Sequence, residues 1–329
     1  KYWGKSDIQI PKNTSISFTL NKCLTNTKLD FTKKKNNSEF VDFDIYFNEQ
    51  LKLDFKPKIQ SFFERILKYC PYILSYKFKI NTSNTFPHSS GIASSASGIS
   101  ALALCIMSLE KLINPKISDD YFYMKASFLS RLGSGSACRS LKGSVNLWGT
   151  HSSFNTSSNL YSIEFPYKVH DIFNTYHDAV LLVDKGIKTV SSTVGHNLMN
   201  NHPFADKRFQ IAQNNIDKLS AILKNGDTNE FVKLVEDEAL MLHGLMMTSD
   251  PSYILIKSKT LQIIDSIREF RSKNNIPVCF TLDAGANVHV LFPDRYSDRV
   301  YDFIERNLKI HCENNSYIRD CVGFGAKQL

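Results

Sequence analysis

Three stretches of small residues carry the side chains of this 329-residue chain that could do chemistry. The first runs Pro87-His-Ser-Ser-Gly-Ile-Ala-Ser-Ser-Ala-Ser-Gly98 and opens into an apolar segment. Small residues, Gly91 among them, let backbone N–H groups close on an anion, and a helix N-terminus adds favourable partial charge. The hydroxyls of Ser94, Ser95 and Ser97 suit phosphate oxygens or a phosphate-bound Mg²⁺. A Ser-rich N-cap on a core helix is the other reading. No Gly-Lys-Ser/Thr follows, so this is not a Walker A loop. The second stretch, Gly133-Ser-Gly-Ser-Ala-Cys-Arg-Ser140, sets Ser134 and Ser136 ahead of Arg139. The planar fork of that arginine can grip a carboxylate through two hydrogen bonds; a tight turn with a surface arginine reads the same. The third, Thr281-Leu-Asp-Ala-Gly-Ala-Asn287, puts Asp283 where an apolar strand ends and a turn begins. There it either forms the turn by bonding its own backbone or points an acid into a cleft.

Positioning these residues falls to a mixed set of elements. Period-two alternation predicts strands over Ile16–Leu20 and Phe40–Phe47, and strand-like runs recur at Ser144–Trp148 and Ala179–Asp184. Helical patterning covers Arg65–Leu74, a buried Ala/Leu/Ile-rich segment over Ala93–Ile113, and Ala205–Leu223, Asn229–Leu245 and Ile256–Lys273. Val278–Leu282 and Val288–Phe292 read as a hairpin joined through Ala284-Gly285-Ala286. The polar loop His151–Asn159 introduces a boundary before Asp171. Strands and helices without regular βαβ alternation imply an α+β fold.

Composition narrows the function class. Hydrophobic residues make up 42% and charged residues 22%, ordinary for a soluble globular protein. No apolar run reaches the roughly 18 residues expected of a membrane span, and no signal peptide is visible; Lys1 in place of Met implies a native start upstream. Seven scattered cysteines, never spaced CxxC, argue for reduced thiols in a cytosolic protein and against a zinc site. Much of the +8 net charge lies in Lys28–Asn37, which reads as a solvated loop or strand edge. No RNA-binding aromatic signature or helix-turn-helix pattern accompanies it. His88, His196, His202 and His243 lack metal-ligand spacing and take structural or surface roles in this reading.

Taken in order along the chain, the three stretches resemble the GHMP kinase superfamily, and within it the mevalonate diphosphate decarboxylases. Lys1-Tyr-Trp-Gly-Lys5, Ile10-Pro-Lys-Asn-Thr-Ser-Ile-Ser17, Val190-Ser-Ser-Thr193 and Val322-Gly-Phe-Gly325 sit where that family has related segments. The resemblance implies an N-terminal domain similar to ribosomal protein S5 domain 2 (residues 1–168) and a ferredoxin-like C-terminal domain (169–329), with the active site between them. It implies conversion of (R)-5-diphosphomevalonate and ATP to isopentenyl diphosphate, ADP, phosphate and CO₂ in isoprenoid synthesis, in a cytoplasmic homodimer with no nucleic-acid or membrane partner. Asp283, Lys1 and Arg139 become the catalytic residues. Tyr2, Lys5, Ser134, Ser136, Arg139 and Ser192 become substrate contacts; Gly91, Ser94, Ser95 and Ser97 serve ATP and Mg²⁺, with Ser95 reaching the metal through the ATP phosphates. Thr193 stands where the family often has a basic residue, with His196, Lys188 or Lys207 as substitutes. A mevalonate 3-kinase or phosphomevalonate decarboxylase is the alternative within the superfamily; a non-catalytic nucleic-acid binder is the distant one.

Overall fold

The structure, a computed structural model, describes residues 1–36, 38–87, 92–184, 186 and 190–329. A short hairpin of β1 (Lys5–Ser6) and β2 (Ile10–Pro11) opens the chain and leads into β3 (Ser15–Phe18). Next come β4 (Thr25–Lys33), β5 (Asp42–Phe47) and β6 (Gln50–Leu51). α1 (Lys56–Ile66) carries a proline in its first turn, where the missing N–H costs nothing. It crosses over to β7 (Tyr76–Asn84), which pairs parallel with β5. α2 (Ser94–Ile113) and α3 (Asp119–Gly133) follow; Ser118 caps α3 by accepting from the Tyr121 N–H at 3.3 Å. β8 (Val145–Trp148) and β9 (Ile163–Glu164) complete a three-stranded sheet with β3.

In the second half, α4 (Asp171–Asn174) leads to β10 (His177–Leu181), and α5 (Ser192–Asn197) precedes three long helices. These are α6 (Ala205–Asn225), α7 (Thr228–Met247) and α8 (Ser258–Asn274). β11 (Cys279–Leu282) and β12 (Val288–Phe292) form the expected hairpin; α9 (Ser297–Phe303) and β13 (Tyr317–Cys321) follow. The sheet order is β11-β12-β10-β13, antiparallel throughout. The α+β expectation holds.

The first-half core forms where α1, α2 and α3 cover the β4-β7-β5-β6 sheet. Phe63 packs 5.1 Å from Phe43 and 5.9 Å from Phe78 by ring centroid. Each such buried ring contributes about 1.5–3 kcal/mol. α2 departs from the sequence reading in one respect. With a mean hydropathy of 1.6, this 20-residue helix is long and apolar enough to cross a membrane. Here it is a core helix, with Ile99, Leu102, Ala103, Ile106 and Met107 buried.

Two local expectations fail for physical reasons. The helix expected over Arg65–Leu74 lies earlier, because Pro71 disfavours helical backbone in the residue before it; α1 ends at Ile66 and only a 3₁₀ turn covers Pro71–Ser75. α3 and β7 escape the pattern reading altogether. The basic stretch behaves as expected where it is described: Lys28–Lys33 belongs to β4, an edge strand, and Lys28 pairs with exposed Asp30 at 3.0 Å.

The two faces of the β11-β12-β10-β13 sheet divide by the period-two rule. Ala179, Leu181, Phe280, Leu282, Val288, Val290 and Phe292 pack with residues of α7 and α8. On the opposite face, Cys279 and Leu291 meet Val145, Leu147 and Phe18, while Val180 meets Leu20, Phe86 and Ile92. That face joins the second half of the chain to the first.

Candidate active site

Lys1, Arg139 and Asp283 come from three distant parts of the chain and converge at this junction. Partial burial of the Lys1 ε-ammonium pushes its pKa down; the Asp283 carboxylate opposes that shift and Arg139 reinforces it. Arg139 in turn sits within electrostatic reach of Asp283, and burial lowers its pKa. Two charged donors and a carboxylate thus lie within electrostatic reach of one another, where partial exclusion of water raises Coulomb interactions above their value in water.

Each of the three is fixed locally. The carbonyl of Lys1 accepts from Asn13 Nδ2 at 2.9 Å, and its backbone nitrogen donates to Glu238 Oε2 at 2.6 Å. Glu238 is itself held by Arg208 Nη2 at 2.6 Å and Asn215 Nδ2 at 2.8 Å. Arg139 ends the 3₁₀ turn Gly135–Arg139 and donates from Nη1 to Ser15 Oγ at 3.0 Å. Its Nε is buried without a hydrogen-bond partner, a donor group that a bound carboxylate would satisfy. Asp283 lies one residue past the end of β11. Its carbonyl accepts from the Gly285 N–H at 2.8 Å and meets His243 Nε2 at 3.1 Å. Turn-forming and catalytic readings of Asp283 are therefore compatible: the backbone makes the turn, and the carboxylate lies within electrostatic reach of Lys1 and Arg139.

Aromatic packing closes one side. The Tyr2 ring lies 4.8 Å from Trp148 and 4.6 Å from His196, and Trp3 lies 4.4 Å from His196. Gly135 makes this possible, since a Cβ there would stand 2.9 Å from the Tyr2 hydroxyl and 3.0 Å from Trp148. Ser134 caps the end of α3, its N–H donating to Ser130 at 3.0 Å.

A cavity of about 1340 Å³ adjoins the site. Ser136 and Arg139 line it, together with β4, α2 and residues 324–329. Ser97 also lines it and donates to Thr25 Oγ1 at 2.6 Å. Ser95 accepts from Lys58 Nζ. The N-cap reading of this segment fails: Ala93 occupies the cap position with φ 55° and makes no side-chain cap bond. Gly91 and Lys188 lie outside the described residues. Ser192 begins α5, but its side chain also lies outside them.

Lys58, which the sequence reading did not single out, also lies against the start of α2. Burial and then the charge of Lys5 lower its pKa, while Lys5 responds to burial and then to Arg65. Lys58 contacts Ser95 in the first turn of α2, and Lys5 lies within electrostatic reach of both Lys58 and Arg65. Only the placement of Lys58 one turn into a helix could have signalled it, and that signal is common on solvated helices. Two other expectations need correcting. His196 keeps the structural role read for it but is no substitute cation: burial and then repulsion from Lys5 push its pKa down to about 3. Lys207 is exposed on α6. Among the described residues, no group of three or more His, Cys, Asp or Glu side chains could hold a metal ion.

Residues 1–159 match the diphosphomevalonate decarboxylase-like N-terminal domain, and residues 179–324 match the mevalonate 5-diphosphate decarboxylase C-terminal domain. A diphosphomevalonate decarboxylase of Ganoderma lucidum is 26% identical over 92% of this chain and 78% of its own length. A phosphomevalonate decarboxylase of Haloferax volcanii is 24% identical over 92% of this chain and 88% of its own. The solved structure described as "MDDEF in complex with MVAPP, AMPPCP and Magnesium" superposes with a TM-score of 0.81 at 26% identity, over 99% of this chain and 93% of that one.

Proposed function

Because the chain belongs to the diphosphomevalonate decarboxylase family, we propose that it is an ATP-dependent decarboxylase. It converts (R)-5-diphosphomevalonate and ATP to isopentenyl diphosphate, ADP, phosphate and CO₂. The observation that carries this reading is the convergence of Lys1, Arg139 and Asp283 beside a cavity of nucleotide size.

A 3-hydroxy acid offers no electron sink at C3 for the pair that departing CO₂ leaves behind. ATP with Mg²⁺ supplies, when bound, the phosphoryl group that makes the tertiary hydroxyl a leaving group. Asp283 orients that hydroxyl and takes its proton. As the C3–O bond breaks and phosphate leaves, positive character develops at C3, and the electrons of the C1–C2 bond fill it as CO₂ departs. Arg139 holds the C1 carboxylate so that the C1–C2 bond electrons can move toward C3; its unpartnered Nε supplies one arm of that grip. Lys1 balances the buried carboxylate. Lys5 and Lys58 hold the distal phosphates, and Ser95 and Ser97 face the nucleotide. Ser134 and Ser192 complete the substrate contacts.

One observation favours a second reading. Thr193 and a neutral His196 add no cation to Lys5 and Lys58 at the distal phosphate, which suits a 5-monophosphate. Incubation with Mg-ATP and, separately, mevalonate, 5-phosphomevalonate and 5-diphosphomevalonate, measuring ADP and CO₂, decides between them. The diphosphate should give both products in equal amounts; ADP without CO₂ from all three would overturn the decarboxylase reading.

The two structural units are taken as residues 1–168 and 169–329. Seven free cysteines support a reducing, cytoplasmic location. A homodimer without nucleic-acid or membrane partners is proposed on the family resemblance, and light scattering with size exclusion tests it.

A further inference from the structure

α7 packs against β11, the strand that ends at Asp283. Ala239, Leu242, His243 and Met246 fall at i, i+3, i+4 and i+7 on α7 and are all buried, so they share one helix face. Ala239 lies in one core cluster with Leu282 and Ala286, and Leu242 in another with Ala284. The residues on either side of Asp283 therefore rest against this helix. His243 is the one polar side chain of the stripe. It is 1% exposed, and its Nε2 lies 3.1 Å from the carbonyl oxygen of Asp283.

A carbonyl oxygen only accepts, so Nε2 carries a proton and donates it to this bond. Burial pushes the pKa of the ring down, which keeps it neutral and leaves Nδ1 a bare acceptor. That Nδ1 is buried and has no hydrogen-bond partner among the described residues. A leucine would fill a similar volume without stranding an acceptor, and a stranded acceptor costs free energy. What the imidazole supplies here, and an apolar side chain would not, is the bond to Asp283.

Resting on the decarboxylase reading, we propose that His243 is a positioning residue for Asp283: its Nε2–H anchors the Asp283 carbonyl to α7 and so fixes the backbone from which the carboxylate reaches the substrate hydroxyl. The same carbonyl accepts from the Gly285 N–H at 2.8 Å. The Gly285 bond is internal to the turn and closes it; the His243 bond ties the closed turn to a buried helix. Without the second bond the peptide plane of Asp283 can rock about the end of β11, and the carboxylate swings with it. A misplacement of about 1 Å at a reacting group costs about 10²-fold in rate. His243 itself touches no reacting atom.

Comparison of the wild type with His243→Leu and His243→Gln tests this, with folding checked by thermal melt. The glutamine amide nitrogen can stand in for Nε2, whereas leucine donates nothing. In His243→Leu, kcat for CO₂ release should fall about 10- to 100-fold while KM for both substrates stays within about threefold. His243→Gln should recover most of that loss. Unchanged kcat in His243→Leu overturns the proposal; a loss that glutamine does not relieve makes His243 merely structural, and the proposal fails. A second measurement needs no turnover. The Gly285 N–H shares the Asp283 carbonyl with His243, so its hydrogen exchange, followed by NMR, should run about 2- to 10-fold faster in His243→Leu and return toward wild type in His243→Gln. Unaltered exchange overturns the proposal. Should neither variant fold, ¹⁵N NMR of the wild-type ring at pH 7 decides: the tautomer protonated on Nε2 supports the bond, and the one protonated on Nδ1 rules it out. A wild type that releases no CO₂ would instead refute the function proposed above, while exchange and tautomer still report whether His243 holds Asp283.

Discussion

The backbone N–H of Gly4 donates to Nδ1 of His196 at 2.9 Å, which fixes the imidazole as the tautomer protonated on Nε2. The ring is clasped by Tyr2 and Trp3, and burial, followed by repulsion from Lys5, pushes its pKa down to about 3. Between the ordinary value of 6.5 and about 3, the unfolded chain holds a proton here that the folded chain lacks. Stability therefore falls as pH drops through this window. The loss attributable to His196 should reach about 3 kcal/mol by pH 4. Urea titrations from pH 7 to pH 4 should show a shallower decline for His196→Gln than for the wild type. Equal slopes would show that the ring protonates freely in the folded protein.

Asp283 and Arg139 predict a second, sharper result. Asp283→Asn keeps the shape of the side chain but removes the proton acceptor and the negative charge beside the reacting hydroxyl. General-base loss alone costs about 10²–10⁴ in rate, and electrostatic loss adds to it. Decarboxylation should fall by about 10³ or more while Mg-ATP binding, followed by calorimetry, changes by less than about threefold. Arg139→Gln should fall comparably, because a neutral amide cannot replace a two-pronged grip on the substrate carboxylate. Retained turnover in either variant would remove that residue from the mechanism.

Lys58 tests how the site holds phosphate without a basic residue at position 193. It neighbours Lys5 and contacts Ser95. Losing one charge-assisted hydrogen bond to a phosphate should cost about 1.5–3 kcal/mol in binding, or about a 10- to 100-fold rise in KM for the phosphorylated substrate. kcat should stay within a few-fold of wild type, since Lys58 is remote from C3. A change confined to kcat would place Lys58 elsewhere in the reaction.

The sequence revealed more of the parts than of their arrangement. The hairpin around Asp283, the long α2 and the small-residue turn before Arg139 were legible because apolar periodicity and glycine placement are local signals. β7 was not, because Tyr76–Asn84 mixes lysines with buried Phe78 and Ile80, and its pairing with β4 and β5 is tertiary. α3 was hidden for a similar reason: Ser127, Ser130 and Arg131 are buried polar residues that blur its apolar face. His196 shows one difficulty. A charged or imidazole side chain reads as solvated until distant segments close over it. Lys1 and Asp283 could be paired only through family resemblance, since spacing says nothing about two residues at opposite ends of a chain.

Asp320 offers a test of how the two halves are held around the site. Its carboxylate, 2% exposed, accepts backbone N–H groups from Asn21 at 3.0 Å, Lys22 at 2.8 Å and Cys23 at 2.7 Å, and from Cys321 at 2.7 Å. Three of these donors lie between β3 and β4, whereas Asp320 is on β13. The bonds therefore tie the first half of the chain to the second, next to the bridge between Leu20 and Val322. Asp320→Ala strands several buried N–H groups at once, and each unsatisfied donor costs about 1–3 kcal/mol before water enters to relieve it. A net loss of about 3–5 kcal/mol in urea unfolding is expected. Asp320→Asn should recover only part of it: the amide oxygen still accepts, but its NH₂ faces donors where an acceptor is needed. If alanine and asparagine cost the same and both fall below about 1 kcal/mol, the halves are held by the apolar contacts of Val180, Leu20 and Ile92 instead.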